Sequence, residues 1–331
     1  MPSLRSPASA ALAAVLLLFV SGCEDHTWRE AFRAADRGWV MHIYGLPGGT
    51  LVAAGGSPTD GRITLFDGST ATPQTLPSPI GLLNWVVAFA PDNVFVVGYE
   101  GAIVHYDGAA WTRMDSPTTQ DLWGVWGATP NDVWAVGGTA RDASNAVPTL
   151  LHYDGVMWTE ETVPDLTPVN ARALFKIWGS SATDVYAVGL GGAVIHYDGS
   201  GWSEMIVGAL GDFSAVYGTG PDNVVMVGGL TNGHVTHWDG TEWRSEDLTP
   251  YPGVSGVWTR SDRVAHIAGQ RGFAATIDLE TFEVIEEPTP TDRQLHGVFG
   301  VDGRVYAVGG NIAIPDNATG VALSRILGDD E

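Results

Sequence analysis

The sequence predicts an all-β fold: a seven-bladed β-propeller with velcro closure by its own N-terminal strand. Three observations predict it. A short strand ending in Val-Gly or Ala-Gly recurs at Gly55, Gly98, Gly137, Gly189, Gly228, Gly269 and Gly309, in steps of 43, 39, 52, 39, 41 and 40 residues. Each copy repeats one order of strands and turns. The last copy lacks a fourth strand, and a stretch near the N-terminus has the residues to supply it. A period of about 44 residues suits one four-stranded blade, and blades stacked in a ring bury what none could bury alone.

Taken in chain order, the first element is an address. Arg5 gives a positive start, and residues 8–20 are uncharged and apolar. That run falls short of the ~20 residues a spanning helix needs, as expected of an export signal. It ends in Val20-Ser21-Gly22-Cys23, which resembles the lipobox of bacterial lipoproteins. The resemblance implies that residues 1–22 are a lipoprotein signal peptide, and that Cys23 carries the acyl chains. Residues 23–26 would then form a lipidated tether, and 27–331 the propeller. Two acyl chains suffice for stable anchoring. The expected location is the bacterial cell envelope, the outer membrane ahead of the inner, with the membrane itself as one partner. Cys23 is also the only cysteine, so no disulfide framework and no thiol for metal or nucleophilic work remain.

The copy over 122–161 shows the blade grammar. Leu122-Trp123-Gly124-Val125-Trp126-Gly127 alternates as a strand does, and Thr129-Pro130-Asn131-Asp132 makes a turn. A second strand covers 133–136, and a third covers 150–153 up to the Asp154-Gly155 turn. Trp158-Thr159-Glu160 begins the fourth. Asp-Gly-x-x-Trp recurs at Asp107/Trp111, Asp154/Trp158, Asp198/Trp202 and Asp239/Trp243, with Asp278/Phe282 as a worn copy. On the first strands one aliphatic position is held by Ile43, Val86, Val125, Ile177, Val216, Val257 and Val298. The following residue is aromatic except at Val87. Sheets packed face to face need such a pair. After residues 321–326 the last copy stops, and Thr27-Trp28-Arg29-Glu30 matches the missing Trp strand, so residues 27–33 are expected to close the ring and hide its edge. The block WGSSATDVYAVGLGGAVIHYDGSGWSEM (178–205) resembles secreted bacterial propeller repeats of the kelch and Asp-box kind. The resemblance speaks for architecture; activity has to be argued from a site.

Composition removes several function classes. The chain carries 38 acidic against 16 basic side chains, a net charge of −22. With Lys176 as its single lysine, it is poorly equipped to displace counterions from nucleic acid, and no nucleic-acid partner is expected. No His-Glu-x-x-His, Gly-x-Ser-x-Gly or phosphate loop occurs. His105, His152, His196 and His237 each stand two residues before a turn Asp. A pair repeated in four blades reads as a structural hydrogen bond, because a propeller has many blades and one site. No cofactor is implied. Ca²⁺ at an Asp-Gly turn is the one cation the sequence leaves open, with no Asp-x-Asp-x-Asp-Gly loop to support it.

Function is expected where copies differ. Three of the 13 tryptophans, Trp39, Trp85 and Trp123, fall outside the repeated positions, at the start of a first strand. The position three before the aromatic reads Met41, Asn84, Trp123, Phe175, Ser214, Ser255 and His296, and beside it lie His42 and Lys176. In a propeller these starts share one face with the loops joining strands two and three. Those loops carry Arg62, Tyr99, Glu100, Arg141, Asp142, Gln270, Arg271 and Asn311. The expected binding face is therefore Trp39, His42, Trp85, Tyr99, Glu100, Trp123, Arg141, Asp142, Phe175, Lys176, Arg271 and His296. Two readings follow. One is a lipid-anchored, non-enzymatic scaffold that binds an envelope protein or a glycan. The other is a glycan-active enzyme of sialidase-like or lyase type, with Arg62, Arg141 and Arg271 around a carboxylate and Tyr99 and Glu100 as nucleophile and helper.

Overall fold

The computed structural model describes residues 26–328 apart from 47, 78, 140–146, 168–170, 209–210, 313 and 315–317. Seven four-stranded antiparallel sheets follow one another along the chain. Blades 1 to 6 begin with inner strands Trp39–Gly45, Leu83–Ala90, Leu122–Thr129, Leu174–Ser181, Phe213–Gly220 and Val254–Thr259. Blade 7 consists of Gln294–Val301, Arg304–Gly310 and Gly320–Ile326. Its outermost strand is Arg29–Glu30, with Arg29 opposite Ser324 and Glu30 opposite Leu323. The N-terminal closure expected from Trp28-Arg29-Glu30 is thus present.

The apolar core lies between blades. One buried cluster spans each junction. Val52, Ile63, Val86 and Val96 join blades 1 and 2, for example, and Ile43, Leu51, Tyr306 and Val308 join blades 1 and 7. The repeated aliphatic position is buried in all seven blades, from Ile43 to Val298. Its aromatic neighbour reaches the next blade where that blade has a glycine. A Cβ at Gly179 would come within 2.7 Å of the Trp126 ring, and one at Gly218 within 2.6 Å of the Trp178 ring. The recurrent Trp-Gly order therefore records an aromatic from one blade lying on the bare backbone of the next. Blade 2, with Val87 in place of the aromatic, supplies Phe89 two residues later, against Gly127.

The repeated histidines are structural, with a partner other than the turn aspartate. His105 meets Asn93 Oδ1 at 3.0 Å, His152 meets Asp132 at 2.8 Å, His196 meets Asp184 at 2.7 Å and His237 meets Asn223 at 2.9 Å. Each partner opens the second strand of its own blade. Alternation explains the switch: the His ring lies over the sheet face beside Phe95, Trp134 or Tyr186, while the turn Asp faces its own turn. There its Oδ1 accepts the backbone N–H groups two and three residues on, as Asp107 does from Ala109 and Ala110. Among the described residues no three His, Cys, Asp or Glu side chains gather in a way that would hold a metal ion.

Candidate functional site on the propeller axis

Every inner strand carries a β-bulge near its start, on the face that we call upper. In blade 3, Leu122 pairs with Gly137 and Gly124 with Val136, which leaves Trp123 unpaired. The same slip occurs in the other six blades. The unpaired residues are Met41, Asn84, Trp123, Phe175, Ser214, Ser255 and His296, the positions that vary in sequence. The variability has a physical cause, because a bulged residue is released from the ladder and re-aimed.

A bulge also frees carbonyls, and neighbouring blades fill them. Asn84 Nδ2 donates to the Leu122 carbonyl at 2.7 Å, and Lys176 Nζ to the Trp123 carbonyl at 2.8 Å. His296 Nδ1 donates to the Met41 carbonyl at 3.1 Å. Lys176 Nζ also lies 4.1 Å from the Trp85 ring centre, and the His42 imidazole stacks on the same indole at 3.4 Å. Beneath this group a small cavity of about 40 Å³ is closed by aliphatic and aromatic residues from every blade. His42, Trp85, Lys176 and His296 thus meet at the axis, brought together from blades 1, 2, 4 and 7.

Burial sets the protonation of the group. Lys176 is 2% exposed, and desolvation pulls its amine from 10.5 down to about 7. Burial first, then the Lys176 charge, holds His42 and His296 below the ordinary histidine range. Unfolding returns Lys176 to about 10.5, so between these values the unfolded chain binds more protons. Stability should therefore rise as pH climbs from about 7 towards 10, and below 7 the buried charge opposes folding in full. Melting wild type and Lys176→Met across that range checks this, since the variant should lose the rise.

Around the axis the upper face is aromatic. Tyr99, Trp123 and Phe175, from blades 2, 3 and 4, form an edge-to-face run with ring centres 5.6 and 5.9 Å apart. All three are half-buried. Trp123 Nε1 is fixed by the Gly138 carbonyl at 2.9 Å. Trp39 is buried with Met41 and Leu82, and its indole donates to Asn311 at 3.1 Å, so it plugs the rim. Glu100 and Arg271 are exposed at equivalent tight turns of blades 2 and 6, both with left-handed backbone, φ 56° and 57°. Blade 4 has Gly191 there. A non-glycine residue in this region costs about 1–2 kcal/mol, partly offset by the entropy a glycine would add to the unfolded chain. Glu100→Gly should therefore stabilise the protein slightly, by about 0.5 kcal/mol, in denaturant titrations.

The remaining expected residues fall elsewhere. Cys23, Arg141 and Asp142 lie outside the described residues. Arg62 pairs with Asp60 at 2.8 Å and lines a hollow of about 470 Å³ between blades 1 and 2. Arg271 lines a separate hollow of blade 6, beside Glu286 and Glu287. The two arginines therefore do not share one carboxylate site, and Tyr99 is packed into the aromatic run. The apolar loop tips lie outside the expected set of binding-face residues. Val147, Leu230 and Ile314 sit in strand two-to-three loops of blades 3, 5 and 7, exposed by 62%, 72% and 56%. A bulky apolar residue in a strand two-to-three loop was the available signal.

Solved structures share this ring. One, described as YCF48 bound to D1 peptide, superposes with a TM-score of 0.63 over 92% of this chain and 98% of the other, at 14% identity. At that identity the likeness shows the fold, a β-propeller. No protein-family model matches the sequence, and no curated protein sequence matches it.

Proposed function

We propose that the chain is an envelope-tethered, non-catalytic scaffold that binds a peptide segment of a protein partner on its upper face. The observation that carries this reading is the concentration of recognition groups there. The Tyr99–Trp123–Phe175 run and the exposed Val147, Leu230 and Ile314 share that face with a polar axis. Aromatic anchors amid apolar tips on a rigid frame suit an extended peptide. The propeller of similar ring described as bound to a peptide supports the same class of partner.

The tether fits this arrangement. His26 lies beside the Ile326 carbonyl, at the end where the third strand of blade 7 finishes. That is the lower face, because the third strand starts from an upper-face loop. An acyl anchor on Cys23 would leave from the lower outer edge and turn the aromatic face away from the membrane.

Photo-crosslinking in the native envelope tests the proposal. A photoreactive phenylalanine in place of Phe175 should capture a protein partner, while one in place of Val156, 82% exposed on a lower-face turn, should not. Cys23→Ser should abolish both membrane retention and labelling by an alkyne fatty acid. Crosslinks from position 156 alone, or to glycan alone, would overturn the reading.

A further inference from the structure

Lys176 is the only lysine in the sequence, and it sits on the axis with 2% of its surface exposed. Among the described residues no carboxylate lies within ion-pair distance of it. Desolvation alone accounts for its altered basicity, with no acid acting in the other direction. A buried charge without a counter-charge is expensive. Its hydrogen bond to the Trp123 carbonyl does not explain the choice of residue. Asn84 serves the adjacent Leu122 carbonyl of the same inner strand with an uncharged amide, and His296 serves the Met41 carbonyl, the register equivalent of that of Trp123, with an imidazole.

Two further observations point to a ligand. His42, 3% exposed, has a buried Nδ1 with no hydrogen-bond partner among the described residues, and its ring shares the Trp85 indole with Lys176. The axis is also lopsided. Blades 1 to 4 set Met41, Asn84, Trp123, Phe175, His42, Trp85 and Lys176 around it. Blades 5 and 6 set only Ser214, Ala215, Ser255 and Gly256 at the same register positions. The side chains on this half are small, and Ser255 accepts from Gln294 at 3.0 Å; across the axis stand the Lys176 ammonium and the unpartnered Nδ1 of His42.

We propose that this half of the axis, on the upper side of Trp85, is a carboxylate-binding subsite with Lys176 as its cation and His42 as its second donor. It deepens the peptide-binding reading by naming the group that enters the axis: an aspartate or glutamate side chain or a C-terminal carboxylate. A monoanion matches one compact ammonium, whereas a phosphate dianion would demand more donors than the axis holds. A bound carboxylate favours the charged forms of Lys176 and His42, so binding draws in protons.

A single lysine makes the test direct, because full-length protein labelled with ¹³C-lysine gives one side-chain signal set, from Lys176. Acetate should shift the Lys176 Cε resonance saturably and raise its apparent pKa by about one unit, a tenfold preference for the charged form. Sodium chloride of equal ionic strength should not. Acetyl-trialanine with a free C-terminus, its C-terminal amide, and an amide carrying one internal aspartate separate a terminal from a side-chain source. Acetate binding with no response to either acidic peptide would instead assign the site to small free carboxylates. Ser214→Trp, which sets a large ring on the small-residue half, should abolish the acetate response and leave the melting temperature unchanged. Saturation by chloride or the plain amide, tighter binding of phosphate, or an unmoved Lys176 signal at every acid would overturn the proposal. The outcome is independent of the crosslinking result, so either idea can fail alone.

Discussion

Glu287→Ala should destabilise the ring by about 3–5 kcal/mol, the usual cost of leaving a buried charge without its partner. Glu287 follows the last strand of blade 6 and accepts three hydrogen bonds. Arg325, on the third strand of blade 7, supplies two, from Nε at 2.6 Å and Nη2 at 2.7 Å. The Trp28 indole, which leads into the closing strand, supplies the third at 2.6 Å. The Arg325 side chain is 2% exposed, its guanidinium sits 5.6 Å from the Trp28 ring, and Nη2 lies 3.3 Å from His266. One carboxylate therefore joins two blades and the N-terminal strand. Removing it takes a carboxylate away from a buried guanidinium and unties Trp28, so the melting temperature should fall by roughly 10 °C. Glu287→Ala combined with Arg325→Met should recover most of that loss, since no uncompensated charge remains. A loss under 1 kcal/mol for the single variant would show that the closing strand is held by its ladder alone.

Gly300→Ala should cost about 1–3 kcal/mol, although alanine suits an extended strand. A Cβ there would intrude on the Trp258 ring of blade 6, which supplies the three atoms nearest to it. Trp258→Leu alone should approach the about 3–5 kcal/mol of a large truncation, because it opens a void at the junction of blades 6 and 7. In the double variant the new methyl has room and fills part of the void. Its stability should match or exceed that of Trp258→Leu, a coupling of 1 kcal/mol or more between residues of different blades. Denaturant midpoints of the four proteins measure this. Simple additivity would mean that the aromatic does not rest on the glycine.

The candidate site was legible in part. Lys176, His42 and His296 stood out because their positions break the repeat, and the structure brings all three to the axis with Trp85. Their chemistry was not legible. Lys176 reaches back to the carbonyl of Trp123, and His296 reaches forward, across the ring closure, to that of Met41. Neither partner is near in sequence. The histidines of blades 2 to 5 give the same lesson: the nearby turn Asp looked like the partner, whereas strand pairing delivers Asn93, Asp132, Asp184 and Asn223. A signal was present, since the residue before Val94, Val133, Val185 and Val224 is Asn or Asp in these four blades.

By itself the sequence determined the number of blades, the order of strands within each and the N-terminal closure. These are written in local terms, as alternation along a strand, turn chemistry and period, and short-range sterics dictate them. Only the tertiary structure decided which neighbouring side chains reach the carbonyls of Met41, Leu122 and Trp123, and which half of the axis carries the small residues. Those outcomes arise where separate blades converge on one line, and no spacing along the chain encodes the distance between them.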